Sequence, residues 1–259
     1  MGIPTLIQEQ NSYAGVTNKL LAKKAKKICV AYDGMEKFFE KDKIILTGNP
    51  VRQGLLNAHI TKEEAVASFG LDPNKKTILI VGGSLGARTL NQCMIAGLGK
   101  IKASDVQFIW QTGKIYFEQA KTAVAKAGDL PMLYVMDFIS KMEDAYSAAD
   151  LVISRAGAGS ISEFCLLSKP VVLVPSPNVA EDHQTKNALA LVEKDAALYV
   201  KDSEANEKLL DVAMETVHKE DILKGLSANI AKLAHVDSAN IIAEEVYKLA
   251  EKYKKGHGY

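Results

Sequence analysis

The chain lacks a strong charge of either sign, and this absence limits its possible partners. Its 259 residues carry 32 Lys and Arg against 31 Asp and Glu, which gives a formal net charge of +1 at pH 7. Such a balance provides no overall electrostatic attraction to nucleic acid. We therefore expect no nucleic-acid partner.

Cysteines are few, and long apolar runs are missing. The three cysteines, Cys29, Cys93 and Cys165, have no paired spacing and stand in apolar contexts, which indicates buried thiols in a reducing compartment. No apolar run approaches the ~20 residues that a membrane-spanning helix needs. The opening residues, Met1–Pro4, do not begin a signal peptide. We expect a cytoplasmic protein that is at most peripheral to a membrane.

Metal-ligand patterns and the common nucleotide-cofactor motifs are also missing. No partner residues stand at ligand spacing around four of the histidines, His59, His218, His235 and His257. No Gly-Lys-Ser/Thr triplet occurs, which excludes a Walker loop. The glycine-rich turn Gly82–Ala87 has Ser84 and Ala87 where a dinucleotide fingerprint needs its second and third glycines. We expect neither metal nor cofactor, and a nicotinamide dehydrogenase is a distant alternative.

A regular alternation of apolar runs and helical stretches begins near Thr77. The predicted strands are Ile78–Val81, Val106–Trp110, Leu133–Val135, Leu151–Ile153, Val171–Val174 and Ala197–Val200. The predicted helices between them are Ala87–Ile101, Lys114–Ala127, Lys141–Ala148, Ser160–Leu167 and Asp182–Glu193. Continuous apolar strands that alternate with helices indicate a parallel sheet covered on both faces. The chain from Ser203 reads as helical, with a last helix over Ser238–Tyr253 and a frayed tail after it.

The first fifty residues have a sparser pattern. Short apolar runs at Thr5–Ile7, Ile28–Ala31 and Ile44–Leu46 predict strands, and Asn11–Lys27 predicts one helix. So few helices would cover a sheet poorly. We therefore expect this part to be the end of a domain, not a whole one.

The segment from Ser154 to Glu163 is the most informative in the chain. It follows an apolar run, contains two alanines and two glycines in alternation, and leads into a helical stretch. A strand that ends in such a turn presents free N–H groups and a positive helix end to an anion. Glu163 lies about one turn inside the helix, where it can accept hydrogen bonds from sugar hydroxyls. This combination suggests a nucleotide or nucleotide-sugar site, although tight helix–strand packing alone would also explain the glycines.

Other polar groups follow predicted strands or precede the regular region. Ser84 stands in the glycine-rich turn after Ile78–Val81, and a second turn of this kind at one sheet edge favours an anion site. Gln184 follows Asp182, which is a plausible N-cap, and capping alone would also explain that cluster. Arg52, after Pro50, is either a surface charge or a hinge cation for a diphosphate.

Taken together, these motifs resemble the MurG family of bacterial UDP-N-acetylglucosamine transferases. The motifs that carry the resemblance are Gln8–Asn11, Ala14–Asn18, Gly48–Arg52, Gly82–Ala87, Arg155–Glu163 and His183–Ala188. They occur in the family's order through nearly the whole chain. The resemblance implies a GT-B-type α/β fold with two Rossmann-like domains, of which this chain would hold one complete and the end of the other. The implied limits are 1–50 for the remnant, 51–236 for the donor domain and 237–259 for a helix that packs back.

The resemblance also implies the reaction and the donor-site residues. The enzyme family transfers N-acetylglucosamine from its UDP donor to the C4 hydroxyl of lipid I with inversion, at the inner face of the cell membrane. The residues implied to bind the donor are Asn11, Arg52, Ser84, Ile139, Gly159, Ser160, Glu163 and Gln184. In this assignment Ile139 contacts uracil, Glu163 the ribose, Gln184 the sugar, Asn11 the donor from the first domain, and the others the diphosphate.

The resemblance has two departures. Gln8 stands where some members have His, and the family's glycine-rich N-terminal motif, which serves the acceptor and the general base, does not occur here. The catalytic base is therefore unassigned, and the chain looks as if it starts inside the family sequence. Two alternatives remain open: a UDP-N-acetylglucosamine-binding fragment without turnover, and another GT-B-like UDP-sugar enzyme such as an epimerase.

Overall fold

The first fifty residues form a small parallel sheet. The structure is a computed structural model that describes residues 2–56 and 60–257, so His59 and the tail residues Gly258 and Tyr259 lie outside it. Three strands, β1 (Leu6–Glu9), β2 (Lys27–Val30) and β3 (Ile44–Leu46), pair in that order. Helix α1 (Val16–Ala22) connects the first two.

The second sheet has six parallel strands in the order β6-β5-β4-β7-β8-β9. These strands are β4 (Thr77–Val81), β5 (Gln107–Gln111), β6 (Leu133–Met136), β7 (Leu151–Ser154), β8 (Val171–Leu173) and β9 (Leu198–Tyr199). Every residue of β4, β5, β7 and β8 is buried, which explains why these strands are nearly continuous apolar runs. The predicted parallel sheet is confirmed.

Helices cover both faces of this large sheet. Those that follow α1 are α2 (Gln53–Leu56), α3 (Lys62–Ser68), α4 (Arg88–Ala96), α5 (Leu98–Ala103), α6 (Phe117–Ala127), α7 (Met142–Ala148), α8 (Ala158–Leu166), α9 (His183–Val192), α10 (Ala205–Val217), α11 (Glu220–Ala231) and α12 (Ser238–His257). One apolar layer joins α3, α7, α8 and α9 to the sheet, and a second joins α4, α5, α6 and α10 to its other face.

Three helix predictions were wrong in extent. The helix expected over Ala87–Ile101 is broken at Gly97, where an added Cβ would lie 2.0 Å from Cδ1 of Leu210 on α10. The helix expected over Asn11–Lys27 covers only Val16–Ala22, because Glu9 accepts backbone N–H bonds from Asn11 and Gly15 and holds the intervening loop. The expected fraying after Tyr253 is also wrong, since α12 continues to His257.

Two local features were missed or misread. Helix α3 was not predicted, although Thr61 and Glu64 form a complete capping box at its start. Asp182 occupies the N-cap position of α9, but it is left-handed with φ of 52° and its side chain makes no capping bond. The charged loop before α9 is thus held by other contacts, which are described below.

The last helix returns to the small sheet. Gly48 packs so closely on the segment before α12 that an added Cβ would lie 2.3 Å from Cβ of His235 and 2.7 Å from Oγ of Ser238. Burial, followed by the negative charge of Glu245 on α12, raises the pKa of the Cys29 thiol in β2. Within the described residues, no helix has the length and apolar character that crossing a membrane requires.

Candidate functional site

The order of the large sheet reverses between β4 and β7. Both strands start crossovers that lead away in opposite directions, so the loops at their carboxyl ends leave a crevice between them. Ligands of open parallel sheets bind in such a crevice. The two glycine-rich turns singled out from the sequence follow these two strands.

The turn after β7 presents the start of α8. Ile161 is the first residue whose N–H bonds within this turn, donating to the carbonyl of Gly157 at 3.0 Å, which leaves the N–H groups of residues 158–160 without a helical acceptor. Gly159 is exposed and Ser160 is half-buried. The neighbouring cation, Arg155, is not free for an anion, because it donates to the carbonyl of Val174 and pairs with Asp202.

The turn after β4 is a glycine loop pressed against the next loop. Gly86 has φ of 81° and donates to the carbonyl of Gly83 at 3.0 Å. An added Cβ on Gly86 would lie 2.1 Å from the Thr112 carbonyl oxygen, so only glycine fits there. Ser84 stands exposed at the tip of this loop. Its hydroxyl therefore faces solvent at the edge where the sheet order reverses.

Glu163 lies in α8 and accepts hydrogen bonds from two residues outside this helix. Its Oε2 accepts a hydrogen bond of 2.7 Å from the Tyr146 hydroxyl, and its Oε1 accepts one of 3.3 Å from Arg52. Burial, and then the charge of Glu163, raise the pKa of Tyr146 far above its ordinary value, so the tyrosine remains a donor. Arg52 is 61% exposed and Glu163 is 16% exposed. The structure thus brings together two residues that were predicted to bind different parts of the donor.

Gln184 lies in the first turn of α9, and a backbone hydrogen bond fixes the orientation of its side-chain amide. Its Oε1 accepts the Ser176 N–H at 2.9 Å, from the segment after β8. An amide whose oxygen is used in this way has its NH₂ group left as the donor for another partner. The sequence predicted the position of Gln184 at the sheet edge, but not this backbone contact.

Asn11 lies at the junction of the two sheets. Its Oδ1 accepts a hydrogen bond of 3.0 Å from the Asn187 amide. Asn187 in turn accepts a hydrogen bond of 2.9 Å from the Ser12 N–H and donates one of 3.3 Å to the Ala156 carbonyl. Asn187, in α9, is 1% exposed, and its contacts link the segment after β1 to the turn before α8.

Asn49 makes a second link between the sheets. It donates 3.0 Å to the Gln10 carbonyl and 3.2 Å to the Ser162 hydroxyl. Neither Asn187 nor Asn49 was predicted as a site residue. Both stand inside the motifs that carried the family resemblance, so the signal was present.

Ile139 follows β6 and contributes to the core. Its side chain is 3% exposed and packs in the apolar layer beneath α7, while the preceding Phe138 is 49% exposed. A base at this edge would therefore meet the Ile139 backbone, not its side chain. Among the described residues, no group of three or more His, Cys, Asp or Glu side chains is placed to hold a metal ion.

Two cavities lie between the sheets. The larger, about 590 Å³, is lined by Tyr32, Asn49 and residues of α8 and α9, but by none of the eight predicted donor residues. The smaller, about 330 Å³, is lined by Glu9, Asn11, Asn18, Glu181 and His183. The open crevice between β4 and β7 remains the better anion site, because the exposed Ser84 and the free N–H groups of α8 follow these two paired strands and do not line the larger cavity.

The chain is similar to known glycosyltransferases. The model of the glycosyltransferase family 28 C-terminal domain matches residues 77–243. The chain is 78% identical over 258 residues to the UDP-N-acetylglucosamine–N-acetylmuramyl-(pentapeptide) pyrophosphoryl-undecaprenol N-acetylglucosamine transferase of Phocaeicola vulgatus, covering 100% of this chain and 69% of that protein. It is 72% identical over 252 residues to the protein of the same name from Bacteroides thetaiotaomicron, covering 97% and 68%.

Solved structures show the same architecture. The crystal structure of Acinetobacter baumannii MurG matches with a TM-score of 0.75 and 31% identity, covering 95% of this chain and 68% of that one. A UDP-GlcNAc 2-epimerase from Neisseria meningitidis matches with a TM-score of 0.65 but only 14% identity, covering 89% and 63%, which shows a shared fold alone. The predicted GT-B-type α/β fold is confirmed.

Proposed function

We infer, because the chain belongs to the MurG family of UDP-N-acetylglucosamine transferases, that its crevice between β4 and β7 binds UDP-N-acetylglucosamine as a glycosyl donor. The family reaction moves N-acetylglucosamine from this donor to the C4 hydroxyl of the N-acetylmuramyl sugar of lipid I, which gives lipid II for peptidoglycan synthesis. One observation carries the assignment to this edge: the free N–H groups at the start of α8 lie one turn from the carboxylate of Glu163. Such a pair suits a diphosphate beside a ribose.

We assign each donor group to the residues whose chemistry fits it. The diphosphate meets Ser84, Arg52 and the N–H groups of Gly159 and Ser160. The ribose hydroxyls donate to Glu163, and uracil meets the backbone at Ile139. The free NH₂ of Gln184 meets the N-acetylglucosamine, and Asn11 approaches the donor from the small sheet.

The proposed chemistry is a direct displacement. The acceptor's C4 hydroxyl gives up its proton to a base and attacks the anomeric carbon from the side opposite the diphosphate. The bond to the diphosphate oxygen breaks, UDP leaves, and the configuration at the anomeric carbon is inverted. Negative charge accumulates on the leaving oxygen. Preorganised N–H groups at the positive end of α8 stabilise that charge. Arg52 adds to this if it exchanges its single 3.3 Å contact with Glu163 for the diphosphate.

No residue of this site is assigned as the catalytic base. Glu9, a carboxylate near the cleft, is occupied: it accepts bonds from the Asn11 and Gly15 backbone and from the amide of Asn18. This arrangement suits a structural role. The proposal for this chain therefore concerns donor binding and leaving-group stabilisation.

Calorimetry and a turnover assay test the proposal together. UDP-N-acetylglucosamine and UDP are titrated into the chain, and the chain is then incubated with the donor and a lipid I analogue. Donor binding with disaccharide product supports the transferase, whereas binding without product supports a donor-binding fragment. The chain spans 69% of the length of its Phocaeicola relative. Conversion of the donor to a free epimer, without any acceptor, would contradict both.

We further propose three structural units and a membrane location. The units are residues 1–50, 51–236 and 237–259, supported by the separate small sheet and by the return of the chain beside Gly48. The location is the inner face of the cell membrane, supported by the undecaprenyl acceptor named for the relatives. Sedimentation with anionic phospholipid vesicles, with neutral vesicles as the control, tests the location.

A further inference from the structure

The loop before α9 is held in a conformation that its residues disfavour. Glu181 and Asp182 have φ of 54° and 52°, in the left-handed region that non-glycine residues rarely occupy. Two adjacent residues of this kind persist only where surrounding contacts hold them. Contacts with the rest of the molecule therefore hold this loop.

The main contact crosses from the large sheet to the small one. Oε1 of Glu181 accepts the N–H of Val16 at 3.2 Å, across 165 positions of the chain. Val16 is the first residue of α1, whose N-cap residue, Gly15, provides no side-chain acceptor. The N–H of Val16 has no acceptor within its own helix. Glu181 thus acts as a cap for a helix of the other domain, with its negative charge at the positive helix end.

Further contacts attach the same loop to α9 and to Tyr13. Lys186 donates 2.8 Å to the Glu181 carbonyl, and its ammonium lies 3.3 Å from the centre of the Tyr13 ring. The second oxygen of Glu181 is buried without a hydrogen-bond partner in the described part of the chain, 3.8 Å from Nε2 of His183. Nδ1 of His183 is likewise buried and unpaired there. The contacts of Lys186 therefore attach the loop both to α9 and to the segment before α1.

This loop leads directly into the residue assigned to the donor sugar. His183 begins α9 and Gln184 follows it, and both Glu181 and His183 line the smaller cavity beside Asn11. We propose that Glu181 is a positioning residue for N-acetylglucosamine. By capping α1 across the interface, it holds the loop Ala180–Asp182 and the start of α9 where Gln184 meets the sugar. This inference rests on the proposed function and adds a role that the donor assignment does not include.

Preorganisation gives the inference a specific signature. If the cap is lost, the loop and the start of α9 must be ordered when the sugar binds, which costs affinity. The uridine diphosphate part lies on α8 and on the loop after β4, so its binding does not draw on this cap. Loss of the cap should therefore weaken the binding of UDP-N-acetylglucosamine but not the binding of UDP. A residue that only supports the fold would weaken both ligands equally.

Calorimetry with both ligands on matched variants tests this signature. Glu181→Ala removes the acceptor, while Glu181→Gln keeps an oxygen that accepts the Val16 N–H. Asp195→Ala is the control, because Asp195 also has a left-handed φ, 51°, and is exposed at the far end of α9. We expect Glu181→Ala to bind UDP-N-acetylglucosamine about fivefold more weakly, as one lost hydrogen bond implies. UDP binding, and both affinities in Glu181→Gln and Asp195→Ala, should stay within about twofold of wild type.

A variant at Val16, the other partner of this hydrogen bond, tests the inference even if Glu181→Ala misfolds. Val16→Pro deletes the donor N–H at the first position of α1, where proline is favoured, and Gly15 before it is already extended with ψ of 154°. It should reproduce the effect of Glu181→Ala, and the double variant should be no weaker than either single one. Equal losses for UDP and its sugar nucleotide, additive effects in the double variant, or wild-type affinity in Glu181→Ala overturn the inference. A wild-type chain that binds neither ligand instead overturns the proposed function on which the inference rests.

Discussion

The hydroxyl of Tyr146 donates a hydrogen bond of 2.7 Å to Glu163, which aims one carboxylate oxygen before any ligand arrives. The other oxygen points to Arg52, whose side chain is largely exposed. A carboxylate with one fixed and one exchangeable partner can accept a new donor at low cost in side-chain entropy. This arrangement is compatible with the proposed role of Glu163, which is to accept hydrogen bonds from ribose hydroxyls.

Replacing Glu163 by alanine should weaken the binding of uridine nucleotides. Hydrogen bonds that involve a charged group contribute about 1.5–3 kcal/mol, so UDP affinity should fall by at least tenfold. Calorimetry with UDP measures the change, and Glu207→Ala, an exposed glutamate on α10, is the matched control. Unchanged UDP affinity in Glu163→Ala would refute the ribose assignment.

Arg52→Ala should weaken the binding of UDP but not the binding of uridine. The side chain is 61% exposed, so screening by solvent limits its contribution to about 1 kcal/mol. UDP affinity should fall by that amount and become less sensitive to salt, while uridine affinity stays the same. Arg52→Lys should recover only part of the loss, because an ammonium lacks the planar fork of the guanidinium. Equal weakening of uridine and UDP would place Arg52 away from the phosphates.

Gly113→Ala should damage the glycine loop after β4 through the backbone. Gly113 has φ of 76°, and an added Cβ would lie 2.2 Å from the N atom of Gly86, so two loops would have to move apart. We expect a loss of about 3 kcal/mol or more in unfolding free energy. Gly225→Ala, in the exposed middle of α11 with no atom within 4 Å of the added Cβ, should instead stabilise by about 0.5–1 kcal/mol. Urea unfolding of both variants measures the contrast, and a mild effect at Gly113 would count against the packed-loop geometry.

Lys169 should give the protein a pH-dependent stability in the alkaline range. Burial lowers the pKa of Lys169 from 10.5 to about 8, with Asp150 opposing and Lys62 adding to the shift. Between these two values the unfolded chain binds more protons than the folded one, so the free energy of unfolding rises with pH. The rise is at most about 3 kcal/mol.

Lys169→Met removes the titrating group and should flatten this rise. Urea unfolding at several pH values between about 8 and 10 measures the slope, with Lys224→Met on the exposed face of α11 as the control. If the unfolding free energy of Lys169→Met still rises with pH, another group must be responsible for the rise. The lost hydrogen bond from Lys169 to the Ala149 carbonyl shifts the whole curve but not its slope.

Local patterns predicted the strands better than the helices. The apolar run Ile44–Leu46 is a strand with the expected limits, and the run at Leu151 is one residue longer than expected. Helix limits failed where a distant residue intervened: Leu210 meets Gly97, which ends α4. The missed helix α3 shows a different cause, since its capping box of Thr61 and Glu64 was visible but the helix itself has only seven residues.

The order of residues in the chain by itself determined the parallel sheet, the two glycine turns at its edge and the family to which the chain belongs, because these depend on short patterns and motif order. The tertiary structure alone decided which side chains meet. Arg52 reaches Glu163 across 111 positions and Glu181 reaches Val16 across 165. No local pattern encodes such pairs, since they depend on the order of strands within each sheet and on how α8 and α9 pack against the small one.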